Sequence, residues 1–318
     1  MIPPFSRRRP GSRGGADCPE PVEGSRAGGN PETSQTRRSR AGGNPAGRGE
    51  GRPFALSLSK GLPAAAVALA IAAALLAGVL APADPLAQDT ARRLEAPSGD
   101  YLLGSDNFGR DVLSRVLHGA RTALAIGVGG VAAGATVGAA VGLASAYRGG
   151  WLDLAVQRVV DALLGFPLLA LAVVIVVSLG VSTGAVTTAI AVALAPQAAR
   201  LARSSALTVR TSGYVAAAVT IGASPTRVLL RHVLPHSLGP VLVYATGFVA
   251  TALATEAALS YLGLGAPPPT PSWGGMLNEG REFLETAPWL TLAPAAALAT
   301  TAAAFALLGD ALGTRRTP

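Results

Sequence analysis

Six apolar runs decide what this chain can become: Leu62–Leu80, Ala123–Tyr147, Leu163–Leu179, Thr183–Ala199, Leu238–Leu262 and Pro288–Leu308. A bilayer-crossing helix needs about 20 apolar residues, at a rise of about 1.5 Å each. Every run approaches or exceeds that length. Half of all residues are hydrophobic and only 14% are charged, a balance that soluble domains seldom show. Nothing sizeable is left to build a soluble domain. The expectation is an all-α integral membrane protein with six transmembrane helices. Most of the runs are Ala-rich rather than Leu-rich, so each inserts only modestly well alone. The fourth also carries Pro196.

The formal net charge of +8 does not argue for nucleic acid. Residues 1–60 hold 11 of the 26 Lys and Arg beside five acids, which leaves the remainder nearly balanced. No aromatic-interleaved basic surface accompanies that charge. The single cysteine, Cys18, precludes an internal disulfide or a cysteine-built metal cage. Residues 1–60 are rich in Gly, Pro, Arg and Ser without apolar period, and are expected to be a disordered basic tail. Within them Ser-Arg-Ala-Gly-Gly-Asn-Pro occurs at both Ser25–Pro31 and Ser39–Pro45. That repetition reads as translated repetitive DNA, with the true start expected near residue 60. The rival reading is a basic arm held on the anionic inner leaflet.

Lys and Arg in short loops set orientation. With the N-terminus inside, Arg148–Ala162, Arg200–Ser237 and Arg315-Arg316 are cytoplasmic. Arg200–His236 fits well, with five arginines and no acid. The first external segment, Ala81–Thr122, fits badly, because it holds Arg92, Arg93, Arg110, Arg115 and Arg121. The expected organisation is the tail over 1–60, a first helix and external amphipathic segment over 61–121, and a five-helix core over 122–313. That core includes a cytoplasmic coupling loop, 200–237.

Gly130, Gly134, Gly138 and Gly142 recur at a spacing of four in the second span. They form one narrow stripe along which another backbone can approach closely, within this chain or from a second subunit. Glu256 is the only acid inside an expected span. A carboxylate there is a candidate for lining a translocation path. The blander expectation is pairing with a backbone donor or with Arg281. Glu279, Glu282 and Glu285 read as a solvated external face.

The loop after the fourth span centres on Gly213-Tyr214-Val215-Ala216-Ala217-Ala218-Val219-Thr220-Ile221-Gly222-Ala223-Ser224-Pro225. A small Ala-faced helix ending on glycine suits docking into a partner protein better than chemistry or ion passage. Ser224 can cap a second helix with Pro225 at its first position, and Pro235 is expected to end it. Before the second span, Leu103 to Thr122 reads as a turn and a short amphipathic helix. Val112, Val116 and Leu117 share one face, with Arg115 off it.

Four stretches in order resemble the permease subunits of binding-protein-dependent ABC importers, above all the C-type permease of the dipeptide, oligopeptide and nickel group. They are Leu103–Thr122, Val160–Pro167, the Tyr214–Pro235 loop, and Glu256-Ala257-Ala258-Leu259-Ser260-Tyr261-Leu262-Gly263-Leu264-Gly265 running into Ser272-Trp273-Gly274. In the loop, Ala217, Ala218, Gly222, Leu234 and Pro235 match the family's pattern. Ala216 stands at its glutamate position, and His232 stands where an apolar residue is usual. The resemblance implies a type I importer permease fold. It also implies that Tyr214, Ala217, Ala218, Gly222, Pro225, Arg231, Leu234 and Pro235 meet a separate cytoplasmic ATPase subunit, by insertion of a helix into a groove. Further implied partners are a homologous second permease and an external substrate-binding protein, with the chain in the bacterial inner membrane. ATP and Mg would be bound by the partners, and this chain would hold no cofactor.

No phosphate-binding loop is present, because Lys60 is the only lysine and no Gly-x4-Gly frame precedes it. His232 and His236 are four apart, but Pro235 lies between them, so no metal is expected. No arrangement suits an enzyme. The alternatives are a stand-alone secondary transporter, which would need more intramembrane ionisable groups, and a weakly coupled or decayed permease, motivated by Ala216.

Overall fold

The computed structural model describes residues 53–314, and the expectations for Met1–Arg52 and for Arg315-Arg316 fall outside them. Among the described residues the chain is helical, with no strand. Helix α1 (Pro53–Leu75) is followed at once by α2 (Ala77–Leu80). The last eight residues of the expected tail, Pro53–Lys60, therefore belong to a helix.

Helix α3 runs unbroken for 37 residues, Val112–Arg148. Its first turn is capped by Asp111, whose side chain accepts the Ser114 N–H at 2.8 Å, which satisfies one of the orphan donors at a helix start. The short amphipathic helix expected before the second span is thus the opening of that span. The 121/122 boundary falls inside one rod.

Helices α4 (Gly150–Leu164) and α5 (Leu168–Leu179) meet at 96°. Pro167 causes the corner: it has no N–H to continue the ladder, and it drives the preceding residue out of helical conformation. The expected span Leu163–Leu179 is therefore a 12-residue helix plus the last turn of another. Helix α6 (Thr183–Arg210, 28 residues) passes through Pro196 and extends a further 11 residues beyond the expected Ala199. Its start is capped by Ser182, which accepts the Ala185 N–H at 3.1 Å.

Short helices α7 (Gly213–Thr220) and α8 (Pro225–Val228) lead through a π-helical turn, Leu229–Val233, into α9 (Leu234–Tyr261). Helix α10 (Trp273–Gly280) and the long α11 (Trp289–Gly313) complete the fold. Each of the six expected spans has an apolar helix in its place. Four of them, α3, α6, α11 and the rod ending at Tyr261, are long enough to cross a membrane alone.

Helix α3 is the hub and packs on α6, α9 and α1. Its glycine stripe faces α6. A Cβ on Gly130 would lie 2.8 Å from Ile190 Cγ2, and one on Gly134 would lie 2.5 Å from the Ala191 carbonyl oxygen. Those on Gly138 and Gly142 would strike the carbonyls of Ala195 and Ala199. The seam is glycine on one helix against Ala191, Ala195 and Ala199 on the other, also spaced by four. Such backbone contact supplies helix attraction where lipid offers no hydrophobic drive.

Candidate functional site

At one end of the fold, the segment after α6 forms a small platform. Val215, Val228 and Val233 are buried, and Leu143, Ala146, Tyr147, Ala206, Arg210, Leu229 and Val233 close around a cavity of about 20 Å³. Arg210 reaches the Ala146 carbonyl of α3 at 3.5 Å. The Tyr214 ring lies 6.0 Å from that of His232 and 5.8 Å from that of His236, which binds α7 to the helix that follows.

With Val215 directed inward, the opposite side of α7 is left open. Tyr214, Ala216, Ala217 and Val219 are exposed, Ala218 is half-buried, and Ile221 is 85% exposed. Leu230 and Arg231 extend that surface, and Leu234 is half-buried. Gly222 closes α7 at φ +88°, with no atom within 4 Å of where a Cβ would stand. Ser224 accepts the Arg227 N–H at 3.4 Å, a long cap.

Pro235 does not end the second helix, contrary to expectation. It sits in the first turn of α9, and the helix continues through it. The π-helical turn just before explains this: Leu234 N–H reaches back five residues to the Leu229 carbonyl, so the widened turn absorbs a residue that cannot donate. The basic loop is also less free than its composition suggests. Arg203 makes a two-pronged pair with Asp153 at 2.8 and 2.6 Å, and Arg200 contacts Asp161 at 2.5 Å. Both acids belong to α4, so these pairs fix α4 against α6.

At the opposite end of α3, four charges interlock. Asp106, fully buried, accepts the backbone N–H groups of Phe108 and Arg110 at 2.8 and 2.9 Å and the Arg110 Nε at 2.5 Å. The Arg115 guanidinium also donates to it. Glu279, from α10, accepts Arg110 at 3.1 Å and Arg115 at 2.7 and 3.2 Å. Two expectations change here. Arg115 does not lie off the packed face; it is 4% exposed. Glu279 is an ion-pair partner, not a free surface acid. Asp106 and Arg110 lie in a turn, outside any helix, so the helical i, i+4 rule gave no signal for their pairing, and nothing local could link Arg110 or Arg115 to Glu279, 169 and 164 positions away.

Tryptophans reinforce this end. Trp273 Nε1 donates to the Val116 carbonyl at 3.0 Å, and Trp289 Nε1 donates to the Ser105 carbonyl at 3.2 Å. Arg92 pairs with Asp100 at 3.0 Å, and Arg93 Nε donates to the Asn107 carbonyl at 2.7 Å. Glu256 is fully buried on α9. Among the described residues it pairs neither with a backbone donor nor with Arg281: the Ser260 hydroxyl one turn on donates to Oε1 at 2.7 Å, and Oε2 has no partner there.

Comparisons with known proteins agree in kind. The family model described as "Binding-protein-dependent transport system inner membrane component" matches residues 134–317. The dipeptide transport system permease protein DppC of Alkalihalophilus pseudofirmus is 37% identical over 239 residues, 75% of this chain and 79% of that protein. The glutathione transport system permease protein GsiD of Pectobacterium atrosepticum is 39% identical over 247 residues, covering 77% and 82%. Among solved structures, a chain of the MetNI methionine ABC transporter in an inward-facing conformation superposes with a TM-score of 0.53. It is 20% identical and covers 64% of this chain and 97% of that one, a likeness of fold.

Proposed function

We propose that this chain, which belongs to the family of binding-protein-dependent transport system inner membrane components, is the transmembrane subunit of an ATP-driven importer of di- or oligopeptides. Such a subunit does no covalent chemistry. Cytoplasmic ATPase partners bind ATP and Mg, a homologous second permease completes the pore, and an external binding protein delivers the solute. The chain would sit as a multi-pass protein in the bacterial inner membrane with both termini inside.

The observation that carries this reading is the platform at α7. It is seated on α3 and α6 around Val233 and Arg210, with Val215 and Val228 buried, while its outer side presents Tyr214, Ala217, Val219 and Ile221. An apolar helix face with small residues, closed by a glycine, suits a groove on another protein. Because the platform continues α6 and leads into α9, a push on it from the ATPase pair is passed to two long helices. That is a two-state coupling through a docked rigid element.

Gly222→Trp is expected to lower ATP-dependent uptake at least tenfold, about 1.4 kcal/mol of coupling, with membrane insertion retained. The open space around Gly222 leaves the chain itself able to fold, although a non-glycine residue at this φ costs roughly 1–2 kcal/mol. Uptake in vesicles and co-purification of the ATPase are the measurements. Unimpaired uptake would remove the docking role. Uptake that survives ATP depletion but collapses with the ion gradient would favour a secondary transporter. One observation favours a weakly coupled variant: Ala216 is exposed on α7, so the family's carboxylate would have faced the partner, and here it is missing.

A further inference from the structure

A cavity of about 370 Å³ opens beside the four-charge cluster, on the side that the proposed orientation places outside. Arg110, Arg115, Ser260, Ser272, Asn278 and Glu279 are among its lining residues. Its volume lies in the range of small-molecule sites. Among the described residues that line it, Glu279 is the only acid, and both arginines present guanidinium forks suited to a planar carboxylate.

The two carboxylates of the cluster are not equivalent. Asp106 is 1% exposed at its side chain and is tied to two backbone N–H groups. Glu279 is 36% exposed and is held only by the two arginines it pairs with. It is the arm that can leave. With Glu279 in place the four charges cancel. With it swung away, Asp106 leaves the two guanidiniums with one uncompensated positive charge at the cavity wall. The cluster is also short of acceptors: among the described residues, Arg115 Nε is buried without one even when both carboxylates are seated.

We infer that this cavity is a binding subsite for the carboxylate of a small solute, and that Glu279 is its resident, displaceable occupant. An incoming carboxylate takes over the contacts of Glu279 with Arg115 and Arg110, while the Trp273 bond to the Val116 carbonyl keeps α10 on α3. Two neutral side chains line the same cavity: Ser272, whose Oγ accepts the Gly275 N–H, and Asn278, whose Nδ2 donates to the Tyr261 carbonyl and whose Oδ1 can still accept from a ligand. No bond is made or broken; one ion pair is exchanged for another. The inference does not depend on which solute the transporter imports.

The prediction runs against what a purely structural ion pair would give. In the full-length protein with its co-purifying subunits, in lipid nanodiscs, Glu279→Gln is expected to bind N-acetylglycine about tenfold more tightly than the wild type. A tenfold gain corresponds to an occupant that holds the site about nine-tenths of the time. Arg115→Gln should abolish binding, and N-acetylglycinamide, which lacks the carboxylate, should not bind any of the three proteins. Titration calorimetry measures the affinities, and size exclusion with a thermal midpoint shows that each variant is folded. Glu279→Asp, with a shorter reach, should fall between wild type and Gln. Equal or weaker binding by folded Glu279→Gln would overturn the subsite, as would equal binding of the amide.

Discussion

Gly142→Val yields no recoverable folded protein; aggregate in detergent extracts, with no monodisperse peak on size exclusion, is the expected result. A Cβ at residue 142 would strike the Ala199 carbonyl, with the Ala199 carbonyl carbon at 2.8 Å and its Cα at 2.9 Å. All three are backbone atoms of α6. A flexible side chain could rotate away, but here one helix must move off another. Overpacking typically costs about 1–3 kcal/mol when side chains can yield, so a backbone wall sets that as the lower end. The displacement also spreads along the seam, because Gly138 and Gly134 likewise abut carbonyls of α6 and Gly130 abuts the Ile190 side chain. Gly142→Ala should show the effect in milder form, as a lowered thermal midpoint. The control is one residue off the stripe. A Cβ on Gly129 would meet only Thr187 Cγ2, at 3.9 Å, so Gly129→Ala should be neutral or stabilising by up to about 1 kcal/mol through helix propensity. A Gly142→Val protein as stable as wild type would mean that the α3–α6 seam is not what holds these helices together.

The stripe could be read from the sequence because its period is local. Four glycines at i, i+4, i+8 and i+12 mark a face whatever they pack against. The partner could not be read, because alanines 191, 195 and 199 are unremarkable in so Ala-rich a chain. The same division holds elsewhere. Apolar runs located the long helices, yet Pro167 broke one of them into a corner, and Pro196 broke nothing. The difference lies in what surrounds each proline. Pro196 is buried within a helix that has regular turns on both sides, whereas Pro167 follows Gly165 and Phe166 at the end of an amphipathic helix. Pro235 misled in the opposite sense, since a single π-helical turn is enough to seat it. Around the cluster, composition suggested a solvated acidic face and an arginine pointing away. The first held for Glu282 and Glu285, which are exposed, and failed for Glu279; the second failed outright, because the partners lie on α10 and at the start of α3 and only the folded chain brings them together.

The cluster also carries the second large effect. Asp106→Asn is expected to destabilise the protein by about 3–5 kcal/mol, the loss typical when one member of a buried ion pair is removed and its partner stays charged. Both backbone N–H groups that Asp106 serves donate to its Oδ1, which asparagine retains, so the fold of the turn should survive. What it cannot do is balance Arg110 and Arg115, which are 9% and 5% exposed at their side chains and would then share the single carboxylate of Glu279. Glu279→Gln removes the same formal charge from a position more than a third exposed. Water can solvate the arginines from that side, and the expected loss is no more than about 1 kcal/mol. Thermal midpoints of the two variants in one detergent give the comparison, and equal losses would show that burial does not set the energetics of this cluster. A double mutant tests the pairing itself. Asp106→Asn with Arg110→Gln removes an acid and a base together, so its loss should fall below the sum of the single losses by about 1–3 kcal/mol, the coupling expected for residues in one network. Strict additivity would mean that Arg110 and Asp106, although 2.5 Å apart, contribute independently, and that Asp106 acts chiefly by bonding the backbone of its own turn.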